Sequence, residues 1–76
     1  MKAILEQIAR GLVDVPEDVK ITEINGERTM IYVLRCNEKD IGKIIGKSGK
    51  TVGAMRTLLN SMAAKQGRKA VLEVVD

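Results

Sequence analysis

Two glycines, Gly46 and Gly49, enclose Lys47 and Ser48 between two apolar segments of the chain. Because glycine lacks a Cβ atom, it reaches positive φ at little cost and lets another chain come close. Exposed backbone amides, a lysine ammonium and a serine hydroxyl are all donors that suit phosphate oxygens. The residue types and their spacing therefore predict a bare turn at which a phosphodiester backbone contacts the protein.

The same residues also resemble the end of a nucleotide-binding P-loop, because Gly46-Lys47-Ser48 and Gly49-Lys50-Thr51 both fit its Gly-Lys-Ser/Thr ending. That motif requires a further glycine five positions before its Gly-Lys pair, and these positions hold Ile41 and Ile44. A P-loop also joins a strand to a helix, whereas the residues before the turn are predicted to be helical. Spacing and context both argue against nucleotide hydrolysis.

A turn between two helices without any ligand is the simplest alternative. In that interpretation Gly46 and Gly49 only permit the turn, Ser48 caps the following helix and the lysines are solvated. A DNA-reading helix-turn-helix is a variant of it, but that motif usually belongs to an all-helical domain. At least three strands are predicted here, which argues against the variant.

The composition bounds what the chain can do. Its 76 residues predict one domain, residues 1–76, with a small core, since chains of this size bury only about 60% of their unfolded surface. Tyr32 is the only aromatic residue, so there is no platform on which bases could stack. Any bound base must therefore lie against aliphatic side chains.

The chain offers few groups for catalysis or metal binding. It has no histidine, and its lone cysteine, Cys36, excludes an intramolecular disulfide and a zinc site. We therefore predict no catalytic residues, no metal and no cofactor. Charges at Lys2 and Glu6 precede any long apolar run, so we expect no signal peptide or membrane span. The protein is predicted to be cytoplasmic.

The charges are distributed unevenly along the chain. Positions 39 to 69 hold eight basic residues and one acid, Asp40, a local net charge of +7. The rest of the chain has five basic and nine acidic residues, a net charge of −4. The basic residues of the segment are Lys39, Lys43, Lys47, Lys50, Arg56, Lys65, Arg68 and Lys69. This asymmetry favours a polyanionic partner on one side, although solvated helix charges explain it equally well.

Apolar periodicity and helix breakers predict a helix followed by a hairpin. An apolar stripe indicates a helix over residues 2–13, which Pro16 ends. The stripe consists of Ile4, Leu5, Ile8, Ala9, Leu12 and Val13. Two β-rich runs, 19–24 and 29–36, meet at Asn25-Gly26, where both residues tolerate positive φ. The second run is apolar on both faces, so we place it at the centre of the sheet.

Two helices and a last strand complete the order α-β-β-α-α-β. The helices are predicted over 38–45 and 49–66, with Asn37 capping the first and Gly67 ending the second. The buried stripe of the longer helix is predicted to be Val52, Met55, Leu59, Met62 and Ala63. The strand over 70–75 comes after both helices and should therefore run parallel to the strand before them.

The segment from Ile41 to Val52 resembles the signature of KH domains, in which a Gly-x-x-Gly turn between two helices clamps about four nucleotides. The order of elements resembles the type II form. The resemblance extends beyond the signature to the helix residues 56–60, the turn at 63–67 and the ending at 71–76. The whole chain is therefore similar to small bacterial single KH-domain proteins of the KhpA type. An acid at the centre of the turn would mark a KH domain that is unable to bind RNA, and this turn has none. The resemblance implies an α+β fold that binds single-stranded RNA, with a three-stranded mixed sheet and helices packed on one face.

The predicted RNA-binding site consists of the turn and its flanks. Its residues are Gly42, Lys43, Ile45, Gly46, Lys47, Ser48, Gly49, Lys50, Val52, Gly53 and Arg56. Charged and hydroxyl groups among them would hold phosphates, while Gly42, Ile45, Val52 and Gly53 would line an aliphatic groove for the bases. The alternatives are core packing for Ile45 and Val52, helix packing for Gly53, and solvation for Arg56.

A second face of the long helix is predicted to be a dimer surface, because its small and apolar residues would permit close helix packing. It consists of Ala54, Leu58, Ser61 and Met62. Widening of the core contact is the alternative. The KhpA resemblance further implies homodimers, a KhpB/Jag-type KH-domain protein as partner, RNA chaperone activity and effects on cell shape. The competing function is a protein-interaction scaffold that uses the fold for assembly without nucleic acid.

Overall fold

The computed structural model of the protein describes residues 2–75, so Met1 and Asp76, the predicted limits of the domain, lie outside the described residues. The elements are α1 (Lys2–Leu12), β1 (Lys20–Asn25), β2 (Thr29–Arg35), α2 (Ile41–Ile45), α3 (Lys50–Ala64) and β3 (Lys69–Val75). Short 3₁₀ turns lie at Pro16–Asp18, Glu38–Asp40 and Lys47–Gly49. The predicted order α-β-β-α-α-β is therefore present. No helix within residues 2–75 is long and apolar enough to cross a membrane.

The three strands form one mixed sheet in the order β1-β2-β3. β1 and β2 are antiparallel, with Asn25 opposite Met30, whereas β2 and β3 are parallel, with Thr29 opposite Lys69. Parallel pairing follows because α2 and α3 carry the chain back along the sheet before β3 begins. The central place of β2 and the direction of β3 are both confirmed.

The core lies between the helices and one face of the sheet. In β2, Met30, Tyr32 and Leu34 are buried, while the alternating residues face the open side of the sheet. The helices contribute the buried residues Leu5, Ala9, Ile44, Val52, Met55, Leu59 and Ala63. The predicted packing of the helices on one face of a mixed sheet is confirmed.

Two of the predicted apolar stripes are buried only in part. Met62, predicted for the buried stripe of α3, is 36% exposed, and Ile4 on α1 is 48% exposed. A small sheet covers only part of each helix, so the flanking apolar residues remain at the surface. As a result α1 and α3 share an apolar groove, which is lined by Ile4, Leu5, Ile8, Met55, Leu58, Leu59 and Met62.

The hairpin between β1 and β2 is present, but its predicted turn conformation is wrong. Neither Asn25 nor Gly26 has positive φ. The chain instead forms a longer loop in which the Gly26 amide donates to the Thr29 carbonyl at 2.8 Å. A Cβ atom at position 26 would lie 3.0 Å from that oxygen, a tight contact, so space and not a left-handed backbone favours glycine here.

The helix predicted over 38–45 is divided into two parts. Residues Glu38–Asp40 form a 3₁₀ turn, and α2 begins only at Ile41. The predicted cap is confirmed, because the Asn37 side chain accepts a hydrogen bond from the Lys39 amide at 3.0 Å. The cap therefore starts the 3₁₀ turn, and α2 itself has only five residues.

Gly67 ends α3, as predicted. It has φ 68°, and the following Arg68 amide donates to the Ala63 carbonyl at 2.9 Å. This arrangement is a Schellman motif, in which a left-handed residue stops the helix. The chain then enters β3 at Lys69.

Candidate nucleic-acid interface

A tight turn connects α2 to α3, as the sequence predicts. The Gly46 amide donates to the Gly42 carbonyl at 2.9 Å, where α2 ends, and the Gly49 amide donates to the Gly46 carbonyl at 3.2 Å. Gly46 has φ 76° and Gly49 has φ 74°. The two glycines thus redirect the chain and leave Lys47 and Ser48 exposed between them.

The two glycines are required for different reasons. A Cβ atom at Gly46 would lie 2.2 Å from the Thr51 hydroxyl oxygen and 2.9 Å from the Thr51 nitrogen, so a side chain there would displace α3. A Cβ atom at Gly49 would meet nothing within 4 Å, and only its left-handed backbone favours glycine. Gly46 therefore fixes how the two helices meet, whereas Gly49 keeps one surface of the turn bare.

Ser48 is the only described non-glycine residue with positive φ, at φ 56° and ψ 29°. This left-handed conformation costs an L-residue about 1 kcal/mol, and such strain is concentrated at functional sites. Ser48 does not cap α3, because Gly49 occupies the N-cap position and no side chain caps the helix there. The ligand-free interpretation, which explains Ser48 as a cap, is wrong on that point.

The predicted groove residues differ in exposure. Ile45 is 37% exposed, whereas Val52 is 6% exposed and belongs to the core. A Cβ atom at Gly42 or at Gly53 would meet nothing within 4 Å, so packing against another helix explains neither glycine. Within a helix, glycine costs about 1 kcal/mol relative to alanine. Room for an approaching ligand is a physical reason to keep both.

The lysines around the turn are not equivalent. Among residues 2–75, Lys47 and Lys50 form no ion pair with a carboxylate. The Lys43 ammonium, in contrast, pairs with Asp14 and lies 3.7 Å from an Asp40 carboxylate oxygen. The hydrogen bond to Asp14 and the charges of both acids raise the pKa of Lys43, against a smaller opposing effect of desolvation. The Lys43 charge is therefore already partly engaged by carboxylates of the chain itself.

Arg56, predicted to reach the RNA, lies beside the edge strand β3. Its Nη2 atom donates to the Leu72 carbonyl at 3.2 Å, and the Asn60 side-chain oxygen accepts from the Ala70 amide at 3.2 Å. The two side chains thus satisfy polar groups of a strand that is otherwise open to pairing. Their i, i+4 spacing places them on one face of α3, but nothing in the sequence indicated that this face meets β3.

Asp40 anchors α2, a role that the sequence did not reveal. Its buried carboxylate accepts hydrogen bonds from the Asp14 amide at 3.2 Å and the Val15 amide at 3.0 Å. Burial acts to raise the pKa of Asp40, but these hydrogen bonds and the charges of Lys43 and Lys39 outweigh it and lower that pKa. The one sign of this role in the sequence was that Asp40 is the single acid within the basic segment.

Tyr32, the one aromatic residue of the chain, is fully buried on the helix-facing side of β2. Burial and the nearby Glu23 carboxylate raise the pKa of Tyr32 to about 12. The surface around the turn therefore offers aliphatic and polar groups but no aromatic ring.

The four predicted dimer residues, Ala54, Leu58, Ser61 and Met62, are all exposed. Leu58 is 54% exposed, and with Met62 it lines the apolar groove between α1 and α3. A wider core contact does not account for an exposed leucine. No part of the chain within residues 2–75 covers this face, which therefore stays available for a partner.

Two helices joined by a Gly-x-x-Gly turn, with a third helix and a sheet whose last strand is parallel to the central one, define a type II KH domain. The description of a matching family model, "KhpA/KhpB, KH domain", agrees with this class, and the match covers residues 2–74. The chain therefore belongs to the KhpA/KhpB KH-domain family.

Individual relatives resemble the chain over its full length. It is 49% identical to the "RNA-binding protein KhpA" of Chlamydia caviae over 76 residues, which cover 100% of this chain and 97% of that protein. It is 40% identical to the "RNA-binding protein KhpA" of Clostridium acetobutylicum over 75 residues, which cover 99% of this chain and 100% of that protein. No solved structure gives a significant match.

Proposed function

We propose that this protein binds short single-stranded RNA and catalyses no reaction. The observation that carries the proposal is the turn between α2 and α3, where the exposed Ser48 has a strained, left-handed backbone. It lies beside Lys47 and Lys50, which form no ion pair with a carboxylate of residues 2–75. Gly42 and Gly53, on the two flanking helices, add surfaces that no side chain obstructs. Family membership and the printed names of the relatives support the same proposal.

The turn would hold the sugar-phosphate backbone of about four nucleotides. Phosphate oxygens accept hydrogen bonds from amides of the turn and from the Ser48 hydroxyl, while Lys47 and Lys50 neutralise their charge. The bases lie against Ile45 and the bare surface at Gly42. Because backbone contacts carry little sequence information, the preference for particular bases is expected to be loose.

A single copy is expected to bind weakly. A few phosphate contacts to a single strand give a log-log salt slope of roughly −0.7 per contact, and a site of this size buries little area. We therefore propose that two copies act as a homodimer through the face that contains Leu58 and Met62, so that the second site gains from a high effective concentration. The exposed apolar groove between α1 and α3 supports this proposal.

The KhpA resemblance supplies finer proposals. They are a KhpB/Jag-type KH-domain partner, RNA chaperone activity, an effect on cell shape and a cytoplasmic location. The matching family description, which joins KhpA and KhpB, supports the first. The others stay predictions from the resemblance, and a scaffold that assembles without nucleic acid remains the competing function.

Fluorescence anisotropy with a short single-stranded RNA tests RNA binding. The variant Lys47→Asp/Ser48→Asp places two acids in the turn and should weaken binding by about tenfold or more, because it removes phosphate contacts and adds repulsion. The control, Lys65→Asp/Gln66→Asp, changes the net charge equally at two exposed residues beyond the other end of α3. If circular dichroism shows all chains folded and the turn variant binds like the native chain, the turn is not the site.

A further inference from the structure

Asp14 contacts a lysine that lies next to the turn. Lys43 follows Gly42 in α2, and its ammonium forms an ion pair with the Asp14 carboxylate. Asp14 belongs to the connection after α1, and its side chain is 78% exposed. The same ammonium lies 3.7 Å from Asp40, whose side chain is 1% exposed. One cation of the predicted RNA-binding set is therefore shared by two carboxylates of the chain itself.

The two carboxylates are held to different degrees. Asp40 accepts backbone hydrogen bonds from Asp14 and Val15, which fix its position. The first of these bonds also holds the Asp14 backbone beside α2. The Asp14 carboxylate has Lys43 as its only partner among the described residues. It can therefore rotate away at the cost of one exposed ion pair, which is small.

We infer, on the basis of the proposed function, that Asp14 competes with RNA phosphate for Lys43 and thereby limits the affinity of the site. A phosphate that approaches α2 meets an ammonium whose charge the Asp14 carboxylate already neutralises in part, so the two anions compete for Lys43. Because an exposed ion pair is weak, this competition lowers the affinity without closing the site. Lys47 and Lys50, which face no competing carboxylate within residues 2–75, bind phosphate directly.

The variant Asp14→Asn tests the competition, because it removes the charge and keeps the amide that donates to Asp40. Binding of a short single-stranded RNA, followed by fluorescence anisotropy, should tighten roughly threefold at low salt, as expected for loss of an exposed ion pair. The log-log salt slope should steepen by up to about 0.7, the contribution of one phosphate contact. The matched control, Glu17→Gln, removes the same charge from an exposed residue that does not pair with Lys43, and should change both quantities less.

The Lys43→Gln background separates a direct effect from a general change of charge. In that background Asp14→Asn should tighten binding no more than Glu17→Gln does, because the shared cation is gone. Equal gains with and without Lys43, or equal gains from Asp14→Asn and Glu17→Gln, would overturn the competition and leave RNA binding intact. A native chain that binds no RNA would instead overturn the proposed function itself. Thermal unfolding checks that each variant folds, and Asp14→Ser is a second substitution that keeps the backbone donor.

Discussion

The Asp40 carboxylate lies 3.0 Å from the backbone nitrogen of Val15, 25 residues earlier in the chain. It also accepts from the neighbouring Asp14 amide, so one side chain joins the connection after α1 to the residue that precedes α2. Since α2 leads directly into the Gly-x-x-Gly turn, the position of the turn depends on a buried, ionised carboxylate.

Replacing this carboxylate should reduce both stability and its dependence on pH. The pKa of Asp40 is lowered in the folded protein, so its charge stabilises the fold above its unfolded pKa of about 3.9 and the stabilisation is lost as the pH falls through the lower, folded value. Asp40→Asn should therefore lower the Tm by several degrees at neutral pH. Thermal unfolding between about pH 2 and pH 7 should show a smaller acid-dependent loss for the variant than for the native chain. Parallel curves for the two chains would contradict this role.

Alanine at the two glycines of the turn should have unequal effects on the free energy of unfolding. Gly46→Ala places a Cβ atom against Thr51 and adds left-handed strain, so it should cost about 3 kcal/mol or prevent folding. Gly49→Ala meets no atom and should cost only the strain, about 1 kcal/mol. Urea denaturation followed by circular dichroism measures both. Equal losses would show that the contact with Thr51 relaxes freely.

Alanine at Gly53 should move stability and RNA affinity in opposite directions. A Cβ atom there meets nothing within the protein, so the gain in helix propensity should stabilise the fold by about 0.5 to 1 kcal/mol. The same methyl group would narrow the predicted aliphatic groove, to which Gly53 contributes, and by steric conflict RNA binding should weaken by roughly threefold or more. Gly11→Ala is the matched control, because Gly11 also lies in a helix with open space around it. It should leave RNA binding unchanged, and a similar loss of binding in both variants would rule out a specific role for Gly53.

An acid on the proposed dimer face should reduce the molar mass in solution. Leu58 is 54% exposed in one copy, so Leu58→Asp should leave the fold intact while a charge buried between two copies would cost several kcal/mol. Light scattering coupled to size exclusion should report a monomer. The control is Ile24→Asp, at a residue that is 52% exposed on the open side of the sheet. If the native chain is dimeric and Leu58→Asp keeps its mass, the dimer uses another surface.

The order of elements could be predicted because its signals are local. Pro16 breaks the first helix, apolar runs define the strands, and the Schellman ending at Gly67 follows from one residue type. The start of α2 could not be placed, because Asn37 and Asp40 both suit the beginning of a helix. The distant amides of Asp14 and Val15, which bind Asp40, are absent from any local pattern.

In the candidate site, too, the features that depend on neighbouring residues were predicted, and those that depend on contacts between distant residues were missed. The turn lies within the four residues from Gly46 to Gly49, so the sequence alone was sufficient to predict it. The ion pair of Lys43 joins positions 29 residues apart, and the hydrogen bond of Arg56 to Leu72 joins positions 16 residues apart. The count of basic residues therefore predicted the positive charge of this surface, but not which of its cations already bind a carboxylate or a carbonyl group of the chain.

The side chains of Arg56 and Asn60 cover polar groups of β3. With one amide and one carbonyl on this border already bonded, an added strand would find fewer groups to pair with, which works against fibril growth along it.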